Sequence, residues 1–98
     1  GYRVSPVEVE SVIAEHPGVA EAAVAQIEPR AGVEIIAAFV VRAPGDTVSA
    51  EALDAYAEER LARYKRPREY IFIDALPRTP NGKLRRAALA ATRAGTTT

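Results

Sequence analysis

Ninety-eight residues, almost half of them apolar and about a quarter charged, describe one globular domain with a modest core and make a second domain improbable. There is no cysteine and His16 is the only histidine, which excludes a disulfide framework or a zinc site built from this chain; the lack of cysteine fits a reducing, cytoplasmic setting. No apolar run reaches membrane-spanning length, and the formal net charge is zero.

In chain order, a short N-terminal strand is followed by a helix start at Ser5, Pro6 and Glu8, which supply a cap, a first helical proline and the closing residue of a capping box. Val9, Val12 and Ile13 follow at helical spacing, and Pro17 and Gly18 end the helix. His16 falls where an imidazolium would complement the helix C-terminus. Strands are predicted over about Val19 to Ile27 and over Ile35 to Val41, joined as a hairpin across the turn at Pro29 to Gly32. The second is an unbroken apolar run, as expected for a strand buried on both faces. Ser49 caps a second helix with Leu53, Ala57, Leu61 and Tyr64 as its apolar stripe. Tyr70 to Ile73 reads as a third strand, Pro77 to Gly82 as a loop, Leu84 to about Ala94 as a final helix, and residues 95–98 as a frayed tail. The expected fold is α+β: a small, mainly three-stranded sheet with helices packed on it.

The zero net charge hides an asymmetry. Residues 1–59 hold three Lys/Arg against eleven Asp/Glu, and residues 60–98 hold ten against two. Such polarity can orient a domain against an anionic ligand or a partner, or the halves can neutralise one another within the fold. The basic half contains the most informative segment. Thr79, Pro80, Asn81 and Gly82 form a tight turn, with Pro80 setting φ at the second position and Gly82 free of a Cβ at the fourth, so that Lys83 projects from a fixed backbone.

The pattern P-x-T-x-x-G-K-x-x-R, filled by Pro77, Thr79, Gly82, Lys83 and Arg86, resembles the last core motif of the adenylate-forming enzymes, the family of acyl-CoA synthetases, luciferases and peptide-synthetase adenylation domains. Gly1 to Glu10 is similar to that family's segment just beyond the hinge between its two domains. His16 to Val24 and Tyr64 to Arg68 also look like family sequence, so the resemblance covers roughly residues 1 to 90.

The resemblance implies that residues 1–94 are the mobile C-terminal lid domain of a longer chain, a fragment whose large N-terminal domain, hinge residue, Mg²⁺ and most of the ATP site lie elsewhere. The abrupt start at Gly1 without Met agrees with that expectation. It further implies Lys83 as the catalytic residue, with Gly82 and Arg86 beside it and Gly1, Tyr2 and Arg3 lining the pantetheine channel as cofactor-binding positions; no metal ligand is assigned. Lys suits the role because a compact charge on a long stem reaches carboxylate and phosphate oxygens in different planes. Arg86 is open to two readings, a phosphate contact or a pair with an acidic residue of the large domain. Lys65, Arg66 and Arg68 form a basic cluster that could meet CoA phosphates or the large domain, and solvated protection of a strand edge is the favoured reading. The implied activity is that of an acyl-CoA synthetase in fatty acid metabolism, joining a carboxylic acid to CoA at the expense of ATP. The chain alone carries no phosphate loop and no nucleophile with a base, and is expected to be inactive. Two alternatives stand beside this reading: an adenylation subdomain that loads a carrier protein, and an α+β nucleic-acid-binding module. The second lacks the aromatic strand or G-x-x-G loop such modules use, so no nucleic-acid partner is expected.

Overall fold

The computed structural model describes residues 5–89. The short N-terminal strand, the positions Gly1, Tyr2 and Arg3, the end of the final helix and the 95–98 tail lie outside the described residues. The order of elements is α1 (Pro6–Ala14), β1 (Val19–Arg30), β2 (Val33–Arg42), α2 (Ala50–Glu58), a 3₁₀ turn (Arg63–Lys65), β3 (Glu69–Phe72) and a second 3₁₀ turn (Arg86–Ala88).

Both helices begin as their sequences dictate. The Ser5 hydroxyl accepts the Glu8 N–H at 3.4 Å and the Ser49 hydroxyl accepts the Ala52 N–H at 3.1 Å, each satisfying one of the donors that a helix start leaves orphaned. His16 departs from the expected role. Its Nδ1 accepts the Gly18 N–H at 2.9 Å and its ring sits edge-on to Tyr56, with centroids 5.0 Å apart, so the nitrogen facing the chain is a lone-pair acceptor and not an imidazolium donor. Tyr64 is a second departure. Helix α2 stops at Glu58, and although Leu61 beyond it is still buried, Tyr64 stands in the 3₁₀ turn at 47% exposure, outside the apolar stripe.

The sheet has the order β1-β2-β3, with β1 and β2 antiparallel as a hairpin and β3 running parallel to β2 after the crossover through α2. Strand alternation sorts the core into two clusters. Val24, Ala38 and Val40 turn to the face covered by the helices, where Val9, Ile13, Leu53, Ala57 and Leu61 pack on them. Ala23, Ala25, Ile27, Ala37 and Phe39 turn to the other face, which is covered by Leu76 and Leu89 with Leu84 against them. That second cover is the C-terminal segment itself. The sequence predicts a helix from Leu84, but Leu84 is instead bridged antiparallel to Arg78 and the first helical turn begins at Arg86. Extended backbone through Leu84 is needed for a hairpin around Lys83, and pairing with Arg78 supplies bonds that a helix would otherwise provide.

Two substitutions check this packing. A Cβ at Gly18 would meet Asp46 Oδ1 at 2.8 Å and Val48 Cβ at 2.9 Å, and Asp46 Oδ1 is itself held by the Val48 N–H. Gly18→Ala should therefore cost about 1–3 kcal/mol by overpacking. Phe39 is fully buried in the second cluster, and Phe39→Ala should cost about 3–5 kcal/mol. Urea denaturation measures both, and a Gly18→Ala variant as stable as the parent would contradict the close approach.

Candidate functional site

The segment from Pro77 to Arg85 is a small closed hairpin. The Gly82 N–H donates to Thr79 O at 2.8 Å, the Thr79 N–H donates to Lys83 O at 2.8 Å, and the Arg85 N–H donates to Pro77 O at 2.9 Å. Gly82 has φ +86°, the left-handed conformation that follows the turn in hairpins of this loop length and that a side chain resists. The motif threonine is explained by the same geometry, because the Thr79 hydroxyl accepts the Lys83 N–H at 3.1 Å. Lys83 is thus bonded through its backbone at both N–H and C=O. Its side chain is exposed and its ammonium has no hydrogen-bond or ion-pair partner among the described residues.

Several other cations of the basic half are engaged, whereas Arg63, Arg68 and Arg85, like Lys83, are exposed and without a side-chain partner among the described residues. Arg78 donates to Gly82 O at 3.1 Å inside the hairpin and pairs with Glu21 of β1. Arg86 donates through Nη1 to Glu10 Oε1 at 2.7 Å and to the Val24 carbonyl at 2.6 Å, and through Nη2 to Glu10 Oε2 at 3.3 Å. The acidic partner that Arg86 meets in this structure therefore belongs to its own domain. Lys65 bonds both Glu8 oxygens, and that hydrogen bond is the main reason its ammonium is held above the usual lysine range. Arg66 pairs with Asp54 at 2.8 Å, and Tyr70 also reaches Asp54 at 3.4 Å; burial first, then the Asp54 charge, pushes the Tyr70 phenol well above its ordinary value.

Motif order placed Lys83, Gly82 and Arg86 together, and the structure brings them to one hairpin and its base. Glu10, Glu21 and Arg78 escaped the sequence reading as participants. The charge asymmetry was the available signal, since each of these ties joins an acid of residues 1–59 to a cation of residues 60–98.

Whether this surface fits a nucleotide can be judged from its donors. An unpartnered ammonium on a fixed backbone fits an anion presented from outside the domain. It does not enclose one. A cleft of about 650 Å³ is lined by Asp54, Arg63, Arg66 and Tyr70 among others, and none of its lining residues belongs to the hairpin. Among the described residues there is no group of three His, Cys, Asp or Glu placed to hold a metal ion, and no helix is long and apolar enough to cross a membrane.

Residues 8–83 match the family model described as the AMP-binding enzyme C-terminal domain. The chain is 38% identical over 89 residues to 4-coumarate–CoA ligase-like 5 of Oryza sativa subsp. japonica, covering 91% of this chain and 16% of that protein. It is 44% identical over 89 residues to the fatty acid–[acyl-carrier-protein] ligase ScoC of Streptomyces coeruleorubidus, covering 91% and 17%. Among solved structures, the Mycobacterium tuberculosis fatty acyl CoA synthetase superposes with a TM-score of 0.86 at 42% identity, over 98% of this chain and 19% of that one. The chain therefore spans less than a fifth of the length of these proteins.

The turn can be tested directly. A Cβ on Gly82 meets nothing within 4 Å, so the cost of Gly82→Ala is that of the left-handed backbone alone, about 1–2 kcal/mol. Gly82→Asn should cost less, because Asn tolerates that conformation. Equal melting temperatures for parent, Ala and Asn variants would contradict the left-handed assignment.

Proposed function

Because the chain belongs to the AMP-binding enzyme C-terminal domain family, the small C-terminal domain of adenylate-forming enzymes, we propose that residues 1–94 are the mobile lid of an acyl-CoA synthetase whose catalytic lysine is Lys83. The observation that supports this best is the contrast within the motif. Arg78 and Arg86 are tied down at its two ends, while the Lys83 ammonium is exposed and has no partner among the described residues.

In the proposed reaction a carboxylate attacks the α-phosphorus of ATP, releasing pyrophosphate and leaving an acyl-adenylate; the thiol of CoA then attacks the acyl carbon and AMP departs. Two anions must approach one another in the first step, and charge accumulates on the phosphoryl oxygens. A cation already in place lowers both costs without reorganising at the moment of reaction. Lys83 would supply that charge from a backbone fixed at Thr79, Gly82 and Arg85. Gly1, Tyr2 and Arg3 are proposed to line the pantetheine channel when the lid rotates for the second step. Mg²⁺ and most of the ATP contacts belong to the large N-terminal domain, which is the principal partner of this one. The similarity to ScoC, named for an acyl-carrier-protein acceptor, supports a second reading in which a carrier protein replaces CoA. Offering the full-length enzyme CoA and, separately, a phosphopantetheinylated carrier distinguishes the two.

Two results are expected. In the full-length enzyme, Lys83→Ala should slow acyl-adenylate formation by ~10²–10³-fold, the loss typical of removing one preorganised electrostatic contact. The same variant, given preformed acyl-adenylate, should make the thioester at close to the parent rate; an unchanged adenylation rate would exclude Lys83 as the catalytic residue. The 98-residue chain by itself should melt cooperatively and release no pyrophosphate from ATP and a carboxylic acid, and measurable turnover would overturn the lid assignment.

A further inference from the structure

The Glu10–Arg86 pair differs from the other ion pairs. Among the described residues, Lys65–Glu8, Arg66–Asp54, Arg66–Glu58, Arg60–Glu59 and Arg78–Glu21 each leave the acid 42% exposed or more, the setting in which ion pairs contribute least. The Glu10 side chain is only 16% exposed and its carboxylate accepts three bonds: both Arg86 nitrogens, and the Val24 N–H at 2.9 Å. Arg86 in turn donates to the Val24 carbonyl. Val24 lies on β1, one of the two outer strands of the sheet, directly opposite Ala38 of β2. Glu10 and Arg86 therefore satisfy one residue's outward N–H and C=O together, as a neighbouring strand would.

The pair also joins the two layers. Glu10 sits on α1, whose buried face packs on the first core cluster, and Arg86 follows the hairpin strand whose Leu84 packs on the second. The link passes around the edge of β1 and fixes the chain three residues beyond Lys83. Arg78, paired with Glu21 of the same strand, holds the other arm of the hairpin. Lys83 thus stands on a hairpin tied at both arms to one strand.

Resting on the reading of Lys83 as the adenylation lysine, we propose that Arg86 and Glu10 are positioning residues for it, holding the Lys83 hairpin in register with the domain body so that the ammonium arrives at a defined place when the lid closes. Arg86 acts through this link and makes no contact with substrate. The pair matters to the first half-reaction, which uses Lys83, and not to the second.

The test measures both half-reactions in the full-length enzyme for Arg86→Ala, Arg86→Lys, Glu10→Gln and Lys83→Ala, together with amide hydrogen exchange. Arg86→Ala should lower kcat for adenylation by about 10- to 100-fold, the size of effect expected when a reacting group is misplaced by about an ångström. KM for ATP and for the acid should change little, and thioester formation from preformed acyl-adenylate should be retained. Arg86→Lys, which keeps the charge but loses the fork, should fall between parent and alanine. Exchange should rise at the amides of residues 79–85 while α2 keeps its protection. If Arg86→Ala does not fold, Arg86→Lys and Glu10→Gln should show the same split at smaller size. Adenylation at the parent rate in the Arg86 and Glu10 variants, beside a crippled Lys83→Ala, would overturn the positioning role and leave the lysine assignment standing. Parallel loss of both half-reactions with exchange rising throughout the domain would show a general structural role and also overturn it. A fully active Lys83→Ala variant would remove the lysine assignment and the positioning role with it.

Discussion

Strand β2 has a neighbour on each side and cover on both faces, and most of the architecture follows from that constraint. Four successive residues, Ala37 to Val40, are fully buried, so successive side chains must each find apolar cover on opposite sides of the sheet. On one side the cover is α1 and α2. On the other it is Leu76 and Leu89, which bracket the hairpin, with Leu84 of the hairpin itself against them. The hydrophobic demand of Phe39 and its neighbours thus presses the C-terminal segment against the sheet and gives the Lys83 turn a base to stand on. The alanines at 37 and 38 leave room for this, since small side chains in the middle strand allow cover to approach from both faces.

Apolar cover alone would not decide where along the sheet the hairpin sits. That is the part of the charged ties. Glu8, Glu10, Glu21, Asp54 and Glu58 come from the acidic half, and Lys65, Arg66, Arg78 and Arg86 from the basic half. Part of the sequence asymmetry is therefore neutralised by pairing within the fold. Charged pairs are directional where dispersion is not, and a guanidinium fork bonded to one carboxylate and one carbonyl admits few registers.

The same pairing narrows the set of cations left for an outside anion. A basic segment offers many candidates for an anion contact, yet several are already committed to carboxylates. Lys83 is set apart by its place after the turn, where its backbone N–H and C=O are both bonded to Thr79 while the side chain stays exposed. The hairpin geometry gives a flexible four-carbon stem a fixed origin.

Much of this was legible in the sequence. The capping serines, the apolar run of β2, the hairpin and the left-handed glycine before Lys83 are local properties, set by propensity and by the few conformations available to Pro, Gly and Asn. The motif order around Pro77 to Arg86 and the segment after Gly1 carried the family. Other features depended on distant residues. Leu84 belongs to a helix by composition, but pairing with Arg78 and burial over Phe39 make it extended. Tyr64 fits the α2 stripe by spacing, but the helix ends before it. The helix between β2 and β3 made a parallel crossover foreseeable, whereas no spacing rule links Glu10 to Arg86. Seventy-six positions separate them, and only the folding of the chain around the edge of β1 brings that carboxylate and that guanidinium to the same strand, since long-range pairing is decided by packing geometry that local sequence does not encode.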